Sequence, residues 1–174
     1  MTESQNSFSS DVVELLSQFE SYSKSRSRFL EQLNLSKSCR DPLAEFSEVL
    51  VGKLLNATLT DSRVQKGYDL VKPNQRLVQV KYLCNPSRNW INEHPIKFPD
   101  SVDEYALVIF VSLQLESVLV FQRETLGQVC ALLGKTHPNQ DTTLQFTRRN
   151  YENILSGKSE FEKLGLEIFR FEIV

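Results

Sequence analysis

Four polar side chains stand where their neighbours predict a core, and their types suit cation-assisted phosphate chemistry. In GYDLVKPNQRLVQVKYL, residues 67–83, Asp69 closes one short run, and Gln79 and Lys81 lie inside the next. Strand side chains alternate, so Leu77, Gln79, Lys81 and Leu83 share one face and Val78, Val80 and Tyr82 the other. A lysine among leucines must snorkel, pair with an acid or serve a site. Asp69, on an antiparallel partner strand, is one candidate acid. Glu48, at the border of the apolar stripe on the preceding helix, is another, and Glu45 competes with it from one turn earlier. Singly, Asp69 and Lys81 read as a structural ion pair and Glu48 as a solvated helix residue; together the four read as a site. Hard cations such as Mg²⁺ take oxygen ligands, commonly one or two carboxylates with waters and phosphate oxygens. The carbonyl of Val80 can add another oxygen. A cation so held polarises a phosphodiester, while a lysine orients the attacking water and offsets phosphate charge.

The elements that must position these groups follow from apolar spacing. Residues 1–10 are polar and expected to fray. Val12, Leu15, Leu16 and Phe19, then Phe29, Leu30, Leu33 and Leu35, predict one bent or two short helices over 11–36, with Asp11 as N-cap. Asp41 as cap and Pro42 in the first turn open the clearest helix, whose stripe is Leu43, Phe46, Leu50 and Leu54. Strands follow at about 66–71 and 76–83, joined by KPNQ. YALVIFVSL and SVLVFQ, dense in β-branched and aromatic residues, predict buried strands. Arg123 to Leu133 predicts a short helix stopped at Gly134, followed by the loop KTHPNQDTT. LQFTRRNYENIL changes from strand to helix at Thr147, and LEIFRFEIV closes the chain as a strand. The order predicts an α/β (α+β) domain, a mixed sheet flanked by helices, with an N-terminal helical segment over 1–38 and a core over 39–174.

The segment EVLVGKLL, then KGYDLV, then LVQVKY resembles the PD-(D/E)XK nuclease superfamily, the restriction-endonuclease-like fold. That family sets a glutamate on a helix, an aspartate on the following strand and an acid-x-lysine on the next. The resemblance covers roughly residues 42–83. It implies Glu48 as the helix glutamate, Asp69 as the metal aspartate, Gln79 in the acid position and Lys81 as the lysine. The metal ligands would be Asp69, Glu48, Gln79 and Val80. Gln79 departs from the family pattern: its amide oxygen can ligate Mg²⁺ but brings no negative charge. The implied activity is Mg²⁺-dependent hydrolysis of duplex DNA by a type II restriction-enzyme-like homodimer, with Mn²⁺ as a substitute. Two other readings stand beside it: a DNA-binding module of the same fold with weakened catalysis, and a nuclease for branched or damaged DNA.

CNPSRNWINEHPIKF brings Arg88, Asn89, Trp90, Asn92 and Lys97 together, and FTRRNYENIL adds Arg148 and Arg149 at a helix start. Such residues contact phosphates and base edges, and a tryptophan can stack on a base; equally, Trp90 can pack on the sheet and the arginines can be solvated. A net charge of −2 excludes wholesale cationic binding to nucleic acid but permits a local basic groove. Cys39, Cys84 and Cys130 are far apart from each other and from His94 and His137, so neither a disulfide framework nor a zinc site is expected. No apolar run reaches membrane-spanning length and the N-terminus lacks a signal-peptide pattern, so a cytoplasmic location is expected.

Overall fold

A computed structural model of the chain describes residues 10–35, 38, 40–60, 67–135 and 142–171. The polar start through Ser9, Cys39, Lys66, the loop over 136–141 with His137, and residues 172–174 lie outside the described residues. The chain divides into two compact units, residues 1–45 and 46–174.

In the first unit, the apolar spacing over 11–36 produces a single helix, α1 (Ser10–Gln32). Its described span opens at Ser10, and the side chain of Asp11, the expected cap, lies outside the described residues. Leu30 is fully buried, and Arg26 donates to the carbonyls of Ser38 (3.2 Å) and Arg40 (2.6 Å), tying the helix to the chain that follows. Leu15, Leu16, Phe19 and Tyr22 are exposed. Helix α2 (Pro42–Leu55) starts where predicted: the Asp41 carboxylate accepts from Leu43 N (2.7 Å), one of the donors that a helix start leaves unpaired.

The second unit is built on a six-stranded mixed sheet. In chain order its strands are β1 (Thr58–Leu59), β2 (Leu70–Val71), β3 (Leu77–Asn85), β5 (Glu104–Val111), β6 (Gln114–Gln122) and β8 (Glu167–Arg170), and they lie side by side in that same order. All neighbours are antiparallel except β3 and β5. Parallel neighbours need a connection that returns along the whole sheet. Here that connection carries β4 (His94–Lys97), which pairs with β7 (Thr143–Phe146) in a separate two-stranded ribbon. The crossover is what carries His94 to the sheet.

Both sheet faces are covered. On one, Phe46 of α2 packs on Phe110, which also meets Tyr82 edge-on. On the other lies the main core: Leu83, Tyr105, Leu107, Ile109, Leu119 and Phe121 of the sheet, Ile96, Leu144 and Phe146 of the ribbon, and residues from the later helices. Those helices are α3 (Leu126–Leu132), α4 (Arg148–Ser156) and α5 (Lys158–Lys163). The strand-to-helix change at Thr147 is a capping box, in which the Thr147 hydroxyl accepts from Asn150 N (3.3 Å) and Asn150 Oδ1 from Thr147 N (3.0 Å). Gly134, at φ +70°, ends the chain's turn out of α3 in the left-handed region that glycine enters without strain.

The β2–β3 hairpin is fastened at its turn by charge. Glu104, on neighbouring β5 and essentially buried, takes Lys72 Nζ at 3.1 Å and Arg76 Nε at 2.8 Å. Arg76 also reaches Glu124 (3.0 Å), and each holds the other in its charged form: the Glu124 carboxyl is lowered and the Arg76 guanidinium raised.

Candidate functional site

The site starts from a gap in the sheet. Strand β2 pairs with β3 only as far as Leu70 opposite Val78, which sets Asp69 opposite Gln79 in the continuing register. Asp69 N still donates to Val78 O (2.9 Å). The next strand donor, Val80 N, finds the carboxylate of Asp69 (Oδ2, 2.7 Å) in place of a backbone carbonyl. A strand residue's N–H and C=O point the same way, so Val80 O opens into the same gap. Gln79 fills it: its amide nitrogen donates to Asp69 Oδ2 and lies 3.5 Å from Val80 O. One donor thus bridges a carboxylate and a strand carbonyl. Two of the oxygens expected to bind a cation converge there, and the amide hydrogens stand between them.

Lys81, two residues on along the same face, is exposed at the edge of this cluster. Tyr105 on β5 is the register partner of Gln79. Its hydroxyl lies 2.6 Å from His94 Nε2 on β4. Burial, and next the charge of Asp69, hold the Tyr105 hydroxyl protonated well beyond the ordinary phenol range. Burial, and next the charge of Lys81, lower His94 from its ordinary value. The Tyr105 hydroxyl and His94 Nε2 share one hydrogen bond, whose direction follows the tautomer of the imidazole. Asp69, Gln79, Lys81, His94 and Tyr105 therefore form one polar cluster on the core face of the sheet.

His94 and Tyr105 were not among the residues expected from sequence. The signal for His94 is the alternation in HPIKF, where His94, Ile96 and Phe98 turn inward and Pro95 and Lys97 outward. Tyr105 carries the same signal, as the first member of the inward set Tyr105, Leu107 and Ile109 on β5.

The two helix glutamates differ in surroundings. Glu45, in the first unit, accepts a hydrogen bond from Ser38 Oγ (2.5 Å) and lies 3.7 Å from Arg40 Nη1. Glu48, in the second unit, is buried on α2, whose Phe46 packs on the sheet face bearing Phe110. Gln79, Lys81 and Tyr105 belong to the opposite face. Among the described residues, no group of three His, Cys, Asp or Glu side chains is placed to hold a metal ion. With glutamine at position 79, such a group would need a further acid beside Asp69.

The expected nucleic-acid residues gather at the far end of β3. Asn85 Oδ1 accepts from Ile91 N (3.1 Å) and Asn92 N (2.9 Å), and Asn92 Nδ2 returns to Cys84 O (3.1 Å), so the 86–92 loop is folded back on its own strand. Trp90 is half-buried, stacked on Tyr151 with centroids 5.3 Å apart and in contact with Phe146. Arg148 joins this loop to α4 through Asn89 Oδ1 (3.2 Å) and pairs with Glu152 (2.7 Å). Arg88 and Arg149 are exposed. Cys84 and Cys130 are free thiols.

No protein-family model matches the chain, and no curated protein matches it significantly. Among the described residues, no helix is long and apolar enough to cross a membrane.

Proposed function

We propose that the chain is a Mg²⁺-dependent DNA endonuclease of PD-(D/E)XK type, a restriction-endonuclease-like fold with glutamine in the acid position. The observation that carries this reading is the convergence of Asp69 Oδ2 and Val80 O on one point, with Lys81 next along the strand. The donor set fits a hard cation: one carboxylate, one strand carbonyl and, after rotation of the amide about its last torsion, Gln79 Oε1. Phosphate oxygens would supply the remaining negative charge. When bound, Mg²⁺ would supply positive charge against the scissile phosphate and the leaving oxygen.

The chain's own residues do the rest. Asp69, anchored by Val80 N, is held between β3 and the chain after β1, just before β2. Lys81 extends from a buried strand into solvent, where its ammonium orients the nucleophilic water and offsets phosphate charge. Tyr105 and His94 wall the cluster from the core side. The test is conversion of supercoiled plasmid with Mg²⁺ or Mn²⁺ by wild type and by Lys81→Ala. Cleavage by wild type and its loss in the variant is expected; equal cleavage by both overturns the assignment.

Gln79 favours a second reading. Its amide already satisfies Asp69, and a site with one negative charge fewer holds cations less tightly. A DNA-binding module that keeps the fold and has lost hydrolysis would associate with DNA yet show no heat of Mg²⁺, Mn²⁺ or Ca²⁺ binding in calorimetry.

A further inference from the structure

Beyond the Asp69 cluster, one cleft combines what a single nucleotide presents: an anion, a flat ring and polar edges. It has a volume of about 260 Å³ and is lined by Arg88, Arg148, Arg170, Glu116, Glu152, Trp90 and Tyr151, with Val111 and Leu155 as its apolar part. That volume falls just below the range of drug-sized pockets, which suits one base and its phosphate and excludes a duplex. The aromatic wall is rigid. Tyr151 is fixed by a hydrogen bond from Ser117 Oγ (3.0 Å), and Trp90 stacks on Tyr151 with the planes 25° apart.

The three arginines come from three separate elements: the 86–92 loop, the first turn of α4 and the end of β8. Arg148 is engaged by Glu152 and Asn89. Arg88 and Arg170 make no ion pair among the described residues, although both stand close enough to Tyr151 for their charges to act on it. Two uncommitted guanidinium groups beside a stacked aromatic wall are an arrangement for a phosphate and a ring together. Glu116 adds an acceptor of the kind that meets the exocyclic amine of cytosine.

We propose that this cleft is a nucleotide pocket, which takes one unstacked deoxynucleotide with its phosphate on Arg88 and Arg170 and its base against the Trp90–Tyr151 wall. The ligand chemistry is a nucleoside monophosphate unit, whether free or within a single strand. The proposal does not depend on the hydrolytic reading of the Asp69 cluster.

Trp90 is the sole tryptophan of the chain, so intrinsic emission reports this cleft alone. The protein, as Lys81→Ala in EDTA to suppress hydrolysis, is titrated with free dCMP, with a short single-stranded oligodeoxycytidine and with a hairpin duplex. Saturable change of Trp90 emission is expected with the single strand at lower concentration than with the duplex. A change with dCMP alone assigns the pocket to free nucleotide; a change with the oligonucleotide at far lower concentration assigns it to a strand. The double variant Arg88→Ala, Arg170→Ala should weaken binding by about tenfold or more, and the Arg→Lys pair should restore part of it. Both positions are solvent-facing, and circular dichroism checks that the variants fold. Absence of any emission change with all three ligands, or equal binding by the double variant, overturns the proposal. Binding in this assay without plasmid cleavage by wild type would retain the pocket and reject the nuclease.

Discussion

Gln79 is the residue on which the proposed chemistry turns. Its amide hydrogens stand between Asp69 Oδ2 and Val80 O. A glutamate there would set two carboxylates against one another, raising the pKa of the pair and destabilising the fold by roughly 1–3 kcal/mol. A divalent cation would relieve that repulsion. Gln79→Glu should therefore melt below wild type in EDTA, and millimolar Mg²⁺ should raise it more than it raises wild type. Ligand at about 100 times its Kd adds some 2.7 kcal/mol. Equal shifts in both proteins would show that position 79 does not reach the cation. Lys81→Ala is expected to change stability by less than about 0.5 kcal/mol, because the side chain is exposed, so any loss of cleavage would be chemical. His94 gives a pH test. It is faced by the Tyr105 hydroxyl and by the charge of Lys81, and its folded pKa lies below the ordinary 6.5. Above about pH 6.5 both folded and unfolded states are neutral at this ring, and its contribution is complete. As the pH falls further the unfolded chain takes the proton first, and stability declines until the pH is below the folded value. Chemical denaturation at pH 7 and pH 5 should show a smaller loss for His94→Asn than for wild type.

At the level of elements, the ion pairs on the hairpin turn set the position of Asp69. Lys72 and Arg76 converge on buried Glu104, which holds the β2–β3 turn against β5 and so fixes the register that places Asp69 opposite Gln79. Glu104→Ala removes the shared partner of two half-buried cations. It should destabilise by on the order of 2–4 kcal/mol, toward the lower end because Arg76 keeps Glu124 and Gln122. Urea unfolding measures it, and an unchanged midpoint would refute the role. The same hairpin shows what sequence patterning can and cannot convey. Period two put Gln79 and Lys81 on one face, and the breaker-rich turn returned Asp69 to them, because both are local properties of a strand pair. The α1, α2, β3, β5 and β6 runs were legible for the same reason. The strand expected over 66–71 shrinks to Leu70–Val71, since Asp69 gives its carboxylate, not its carbonyl, to the next strand donor. Short β1 and α5 carried too few residues for a period to emerge. His94 and Tyr105 meet only because a parallel crossover brings β4 onto β5, and no local spacing encodes a crossover.

For the whole molecule, the proposed function requires any attraction to DNA to be local. The chain carries a net charge of −2, so its global field repels a polyanion weakly. Among the exposed cations, Arg88 in the loop after β3, Arg148 at the start of α4 and Arg170 at the end of β8 share one cleft, and Arg149 follows Arg148 on α4. Binding through about three phosphates should give a log–log salt dependence with slope near −2 to −3, shallow for a DNA-binding protein. A slope near zero would exclude phosphate contacts as the source of affinity. Stoichiometry then decides the product. On the proposed reading, a single Asp69–Lys81 cluster would cut one strand at a time, and a double-strand break by one encounter would require two clusters on opposite strands. If the protein acts as a homodimer, supercoiled plasmid should pass to linear form without accumulating nicked circles, with a rate that rises as the square of protein concentration below the dimer Kd. If it acts as a monomer, nicked circles should accumulate first and the rate should be linear in protein. Sedimentation at the same concentrations separates these cases, and a monomer that linearises plasmid directly would reject the one-cluster, one-strand account of the site.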